Sequence, residues 1–110
     1  MKYPFEVWRY NFPQKGEHPC VVISPPDRAA GAKVINILYC TSQRQSRAPK
    51  PFEVTLDQAD GMDWETFCDC SLMYSVESAL LFGRRGMVVL ERRRAIRTML
   101  RDVFRLLATD

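Results

Sequence analysis

No apolar run in this 110-residue chain approaches the roughly 18 residues that a membrane-spanning helix requires, so no spanning segment is expected. The opening residues, MKYPFEVWRY, lack an apolar stretch followed by a small-residue cleavage site, which argues against a secretory leader and for the cytosol. No C-x-x-C pair occurs among Cys20, Cys40, Cys68 and Cys70, and a cytosolic chain of this size does not need disulfides. The closer pairs, His18-x-Cys20 and Cys68-x-Cys70, lack zinc-finger spacing. The cysteines are therefore expected as buried thiols, with no metal. Lysine and arginine are missing altogether from residues 51–83.

That last absence exposes a segregation hidden by a net charge of +3. Residues 1–50 carry eight basic and three acidic side chains, residues 51–83 carry seven acidic ones, and residues 84–110 carry eight arginines against three acids. Basic regions on both sides of an acidic middle suit an anionic partner such as RNA or an acidic protein, and equally suit internal ion pairing. With 46% apolar and 26% charged residues, the composition is that of a globular protein, and the length suits one domain over 1–110.

The stretch from Cys40 to Val54, CTSQRQSRAPKPFEV, joins an apolar run to an alternating strand through a basic loop. Arg44, Arg47 and Lys50 offer cations without a competing acid before Glu53, and Phe52 offers a stacking ring at the exit. A solvated surface loop would have the same composition.

Elsewhere the pattern is mostly that of short strands. Phe5–Phe12 is aromatic and β-branched, with Trp8, Tyr10 and Phe12 on one parity, and Pro13–Gly16 supplies a turn. Cys20–Ile23 is a continuous apolar run that suits a strand buried on both faces, ended by Pro25 and Pro26, with residues 25–32 expected as a loop. Further strands are expected over Lys33–Cys40, Phe52–Leu56, Phe67–Val76 and Met87–Leu90. A turn is expected at Asp57–Asp63 and a short helix over Glu77–Phe82, closed by Gly83. In Phe67–Val76, strict alternation would put Cys68, Cys70, Leu72, Tyr74 and Val76 on one side. From Glu91 to Ala108, the spacing of Ile96, Met99, Leu100, Val103, Phe104 and Leu107 predicts an amphipathic helix with no Ser, Thr or Asp at its start. Arg93, Arg97, Arg101 and Arg105 recur along its flank, where like charges repel unless an anion lies nearby. The fold class is thus mainly β (an α+β variant): a small antiparallel β-barrel of five to seven strands with a C-terminal amphipathic helix.

The order of these pieces resembles the MazF/PemK family of bacterial toxin endoribonucleases, which have a MazF/CcdB-like fold. Glu6-Val7-Trp8 is similar to the family's opening strand, and Lys15–Ser24 to its second. Cys40-Thr41-Ser42-Gln43 followed by Pro51-Phe52-Glu53-Val54 is similar to its strand–loop–strand. Asp60-Gly61, Cys68-Asp69 and Gly86 before a closing helix complete the series. The resemblance implies a homodimer in the bacterial cytoplasm, a site for single-stranded RNA near the dimer interface, and an antitoxin whose acidic tail occupies that site. It also implies cleavage without metal or cofactor, in which the RNA's own 2′-hydroxyl attacks the phosphorus.

By that resemblance the catalytic candidates are His18, Thr41, Ser42 and Asp69, and the RNA-binding candidates are Glu17, Gln43, Arg44, Arg47, Lys50 and Phe52. Two positions depart from the family. His18 stands where an arginine is expected before the proline, and Phe67 stands where PemK-like members carry an arginine two residues before the aspartate. Phenylalanine cannot stabilise phosphate charge, whereas imidazole exchanges protons near neutral pH. Arg44 or Arg47 would then have to supply the missing cation. The alternative is a weakened member that binds RNA or an antitoxin without cutting.

Overall fold

The computed structural model describes residues 1–41 and 47–105. Six strands form one antiparallel sheet: β1 (Glu6–Phe12), β2 (Gly16–Val22), β3 (Val34–Cys40), β4 (Glu53–Leu56), β5 (Thr66–Glu77) and β6 (Phe82–Met87), in the spatial order β4-β5-β3-β2-β1-β6. Helix α1 (Pro26–Gly31) and helix α2 (Leu90–Val103) complete it, with 3₁₀ turns at Gln58–Asp60 and Ser78–Leu80. No helix among the described residues is long and apolar enough to cross a membrane.

Strand periodicity divides the interior into two clusters. Val7, Val21, Leu38, Cys40, Val54, Cys68 and Cys70 point to one face, where Ile96 of α2 covers them. Phe12, Cys20, Val22, Ile35, Ile37 and Val76 point to the other, covered by Ala29 of α1 and edged by Trp8, Tyr10, Tyr39 and Tyr74. The run Cys20-Val21-Val22 is fully buried because its neighbours alternate between two packed faces. All four cysteines are buried free thiols. Burial drives the Cys20 thiol up to about 12, so it remains protonated and acts as a small apolar side chain.

Three local expectations are corrected. Residues 26–31 are helical because Pro26 occupies the first turn, where its missing N–H costs nothing. The strand expected at Met87–Leu90 lies instead at Phe82–Met87, and Leu90 already opens α2. That strand is an edge paired only with β1, so Gly83-Arg84-Arg85-Gly86 needs no apolar alternation. Gly86 is required there: a Cβ would stand 2.9 Å from the Asp60 carbonyl oxygen. The third correction concerns β5. Leu38 pairs with Met73 but Tyr39 pairs with Asp69, so Cys70, Ser71 and Leu72 bulge out of register. The bulge reverses parity, leaving Cys68 and Cys70 in one cluster and Val76 with its neighbour Tyr74 in the other.

Helix α2 receives its cap from a distant turn. Asp60, fully buried, accepts from Val89 N at 2.9 Å and from Asp57 N at 3.0 Å. Arg92 then reaches back to Asp60 at 2.5 Å and to both oxygens of Asp57 at 2.7 and 2.9 Å. The acidic middle segment is thus used internally, since Asp63 also pairs with Arg85 and Glu53 with Arg47. It does not reach the flank of α2: Arg93, Arg97, Arg101 and Arg105 form no ion pair among the described residues. Arg93 Nε donates to the Val88 carbonyl, and Arg93 and Arg97 both lie over the Phe5 ring.

Candidate functional site

Register brings several of the candidates to one end of the sheet. Cys20, Tyr39, Asp69 and Glu53 are successive partners across β2, β3, β5 and β4. His18 lies two residues before Cys20 on β2, and Thr41 immediately follows β3. Ser42, Gln43 and Arg44 lie outside the described residues.

His18 is half-buried, and both of its ring nitrogens have neighbours. Nε2 lies 3.0 Å from the Lys15 carbonyl oxygen, and Nδ1 lies 3.5 Å from the Tyr39 hydroxyl. The two rings stand 4.9 Å apart, and Phe12 closes on Tyr39 edge-on at 5.1 Å. Thr41 is tied to β5 in both directions: its N–H donates to the Phe67 carbonyl at 2.9 Å, and its Oγ1 accepts from Phe67 N at 3.1 Å. Among the described residues the Thr41 hydroxyl proton has no acceptor, so it can donate to a ligand.

Among the described residues Asp69 meets no arginine. Its Oδ1 accepts from Ser71 N at 2.9 Å and from Ser71 Oγ at 2.5 Å, which fastens the start of the β5 bulge. Glu17 pairs loosely with Arg9 at 3.6 Å, and with His18 it borders a cavity of about 140 Å³ lined also by Trp64, Thr66 and Arg85. Lys50 and Phe52 are exposed beside the site, and the Lys50 N–H donates to Glu53 at 2.7 Å.

Arg47 is the best-defined cation. Its Nη1 and Nη2 donate to the two carboxylate oxygens of Glu53 at 2.8 and 3.0 Å, the bidentate geometry in which arginine binds most firmly. The guanidinium also lies over the Phe67 ring, with Cζ 4.5 Å from its centroid. Arg47 and the Lys50 N–H hold the Glu53 carboxyl below its usual range, overcoming the opposing effect of burial.

Tyr39, Lys15 and Glu53 were absent from the sequence-based candidates. Tyr39 sits in an apolar strand and looks like core, yet it stands between His18 and Asp69 with the Lys15 ammonium 4.9 Å above its ring. Only the register of β3 against β2 and β5 reveals it. Glu53 followed Phe52 as an ordinary outward residue of an alternating strand; it is buried, with Arg47 and the Lys50 N–H bonded to its carboxylate. Among the described residues no cluster of His, Cys, Asp and Glu is arranged to hold a metal ion.

No curated protein sequence matches this chain. Several solved structures are similar to it. An endoribonuclease in complex with its cognate antitoxin from a mycobacterial species is 17% identical with a TM-score of 0.80, over 96% of this chain and 97% of that one. The Mycobacterium tuberculosis toxin MazF-mt6 is 12% identical with a TM-score of 0.76, over 91% and 96%. A MazE–MazF structure from Deinococcus radiodurans is 19% identical with a TM-score of 0.70, over 94% of each chain. At such identities the likeness establishes the fold. The model of PemK-like, MazF-like toxins of type II toxin–antitoxin systems matches residues 3–104, nearly the whole length, and the chain therefore belongs to that family of toxins.

Proposed function

We propose that this toxin is a metal-independent endoribonuclease that cleaves single-stranded RNA by attack of the substrate's 2′-hydroxyl. It would act as a single-domain homodimer in the bacterial cytoplasm, restrained by an acidic antitoxin. The observation that carries this reading is Arg47 over Phe67. The family's arginine is missing at position 67, and a guanidinium from the preceding loop stands 4.5 Å above the ring that replaces it. A cation at that point stabilises charge developing on the phosphoryl oxygens, usually the largest single contribution in such a reaction. Thr41 and the His18–Tyr39 pair lie along the same end of the sheet. Ser42 and Asp69 complete the proposed catalytic set. Glu17, Gln43, Arg44, Lys50 and Phe52 join Arg47 in contacting RNA.

A second reading, binding of RNA or antitoxin without cleavage, is favoured by one specific feature: Glu53 already neutralises Arg47. One assay separates the two. Purified protein is incubated with a pool of single-stranded RNA in the presence of EDTA, and the products are examined for 2′,3′-cyclic phosphate ends. Cleavage supports the first reading. Salt-dependent binding with every RNA intact supports the second. Full activity after both His18→Ala and Asp69→Ala would remove those two residues from the reaction. Rescue of growth by a co-expressed short acidic protein tests the antitoxin.

A further inference from the structure

We propose that Tyr39 is a catalytic residue whose hydroxyl meets the RNA 2′-hydroxyl and relays its proton to His18. The inference rests on the ribonuclease reading above and adds to it a group outside the family's motif. It begins with the tautomer of His18. The Lys15 carbonyl oxygen can only accept, so His18 Nε2, 3.0 Å away, must carry its proton there. In the neutral ring Nδ1 is then the basic nitrogen, and the group in front of it is the Tyr39 hydroxyl at 3.5 Å. One nitrogen is committed to the backbone and the other faces Tyr39, so His18 has no ring nitrogen left for direct contact with substrate. Tyr39 is half-buried, and its hydroxyl is the group that faces Nδ1.

The groups around the phenol fit this task. Lys15 lies over its ring from the β1–β2 turn, His18 faces it from β2, Asp69 and Tyr74 approach from β5, and Cys40 follows it on β3. Strand β1 contributes the uncharged Phe12 ring. Burial, with smaller effects from Cys40, Tyr74 and Asp69, raises the phenol above its ordinary value, so it retains its proton at neutral pH and can donate to Nδ1. In the reaction, Tyr39 gives its proton to His18 Nδ1 while taking the proton of the 2′-hydroxyl. The 2′-oxygen–phosphorus bond forms and the phosphorus–5′-oxygen bond breaks, giving a 2′,3′-cyclic phosphate. The departing 5′-oxygen takes a proton from a solvent water, and the imidazolium returns its proton to the resulting hydroxide.

Tyr39→Phe removes the hydroxyl and keeps the ring against Phe12 and Lys15. The expected result is a fall in kcat of about 100-fold, with affinity for an uncleavable RNA carrying a 2′-deoxy scissile nucleotide unchanged within about twofold. Tyr3→Phe, the control at an exposed tyrosine whose hydroxyl donates to Met1, keeps the wild-type rate. Incorporation of 3-fluorotyrosine at position 39 retains the hydroxyl, acidifies it and should move the alkaline limb of the pH–rate profile to lower pH. This second measurement serves if the phenylalanine variant folds poorly. Wild-type cleavage matched by Tyr39→Phe, or a profile unmoved by fluorination, overturns the relay and leaves the ribonuclease reading standing. Absence of cleavage by the wild-type protein overturns both.

Discussion

Two arginine–carboxylate anchors in this molecule look alike in outline and differ in what surrounds them. Under α2, Arg92 grips Asp57 and Asp60; at the end of the sheet, Arg47 grips Glu53. Both contain a buried carboxylate. Asp60 is also satisfied by the backbone N–H groups of Val89 and Asp57, joining a helix start to a turn about thirty residues upstream. Among the described residues the Glu53 carboxylate is bonded only by Arg47 and the Lys50 N–H. The first anchor connects distant parts of the fold. The second fixes a partly exposed guanidinium over the buried Phe67 ring, where, on the proposed reading, an incoming phosphate shares it. On the proposed reading, similar pairs serve stability in one place and a ligand in the other.

Three experiments test that contrast. The largest effect is expected from Asp60→Ala. It removes the cap of α2 and strands Arg92, and breaking a buried pair from one side costs about 3 kcal/mol, read as a lower urea midpoint at unchanged slope. A midpoint within error of wild type would show that the distant cap is dispensable. Arg47→Ala should do the reverse. The urea midpoint should move far less than for Asp60→Ala, while RNA cleavage falls about 100-fold through loss of the phosphoryl cation. If the rate is preserved and the midpoint collapses, Arg47 is merely a second structural anchor.

The smallest effect is that of acid. Arg92, aided by the Ala59 N–H, holds Asp57 below its usual range, and Arg47 does the same for Glu53. A carboxyl with a depressed folded-state pKa stabilises fully above its unfolded value and loses that contribution as pH falls through the folded one. Stability should therefore decline below about pH 4.5. Asp57→Asn should flatten this acid limb only slightly, because Asp57 is 43% exposed and solvent screens it. An acid limb identical in Asp57→Asn and wild type would assign the decline to other carboxyls.

The sequence disclosed the strands wherever apolar periodicity was local. The both-faces run at Cys20–Val22 and the parity of Trp8, Tyr10 and Phe12 both follow from side-chain alternation. The stripe of α2 was equally legible through Val103, while Leu107 lies outside the described residues. Its cap was not, because Asp60 is distant along the chain and the residue preceding the helix, Val89, bears no capping group. Edge strand β6 was misplaced for a related reason: its pairing with β1 depends on backbone hydrogen bonds, and its side chains carry little apolar signal. Within the site, Arg47 stood out as a loop cation, but its place over Phe67 depends on how that loop returns. Tyr39 was hidden because a tyrosine among Val, Ile and Leu reads as packing. Its neighbours are set by register across three strands.

The bulge at Cys70–Leu72 also bears on how this chain tolerates change in length. Either side of it, β5 is pinned by separate partners: Cys68 and Asp69 against β3 and β4, and Met73–Glu77 against the start of β3. An added or deleted residue elsewhere in β5 would turn apolar side chains outward and polar ones inward. At the bulge, a one-residue change leaves both registers in place and disturbs mainly the bonds of Ser71 to Asp69 and of the Cys70 N–H to Phe52. This strand thus has a built-in place for insertions, directly after Asp69, one strand away from Tyr39 and two from His18.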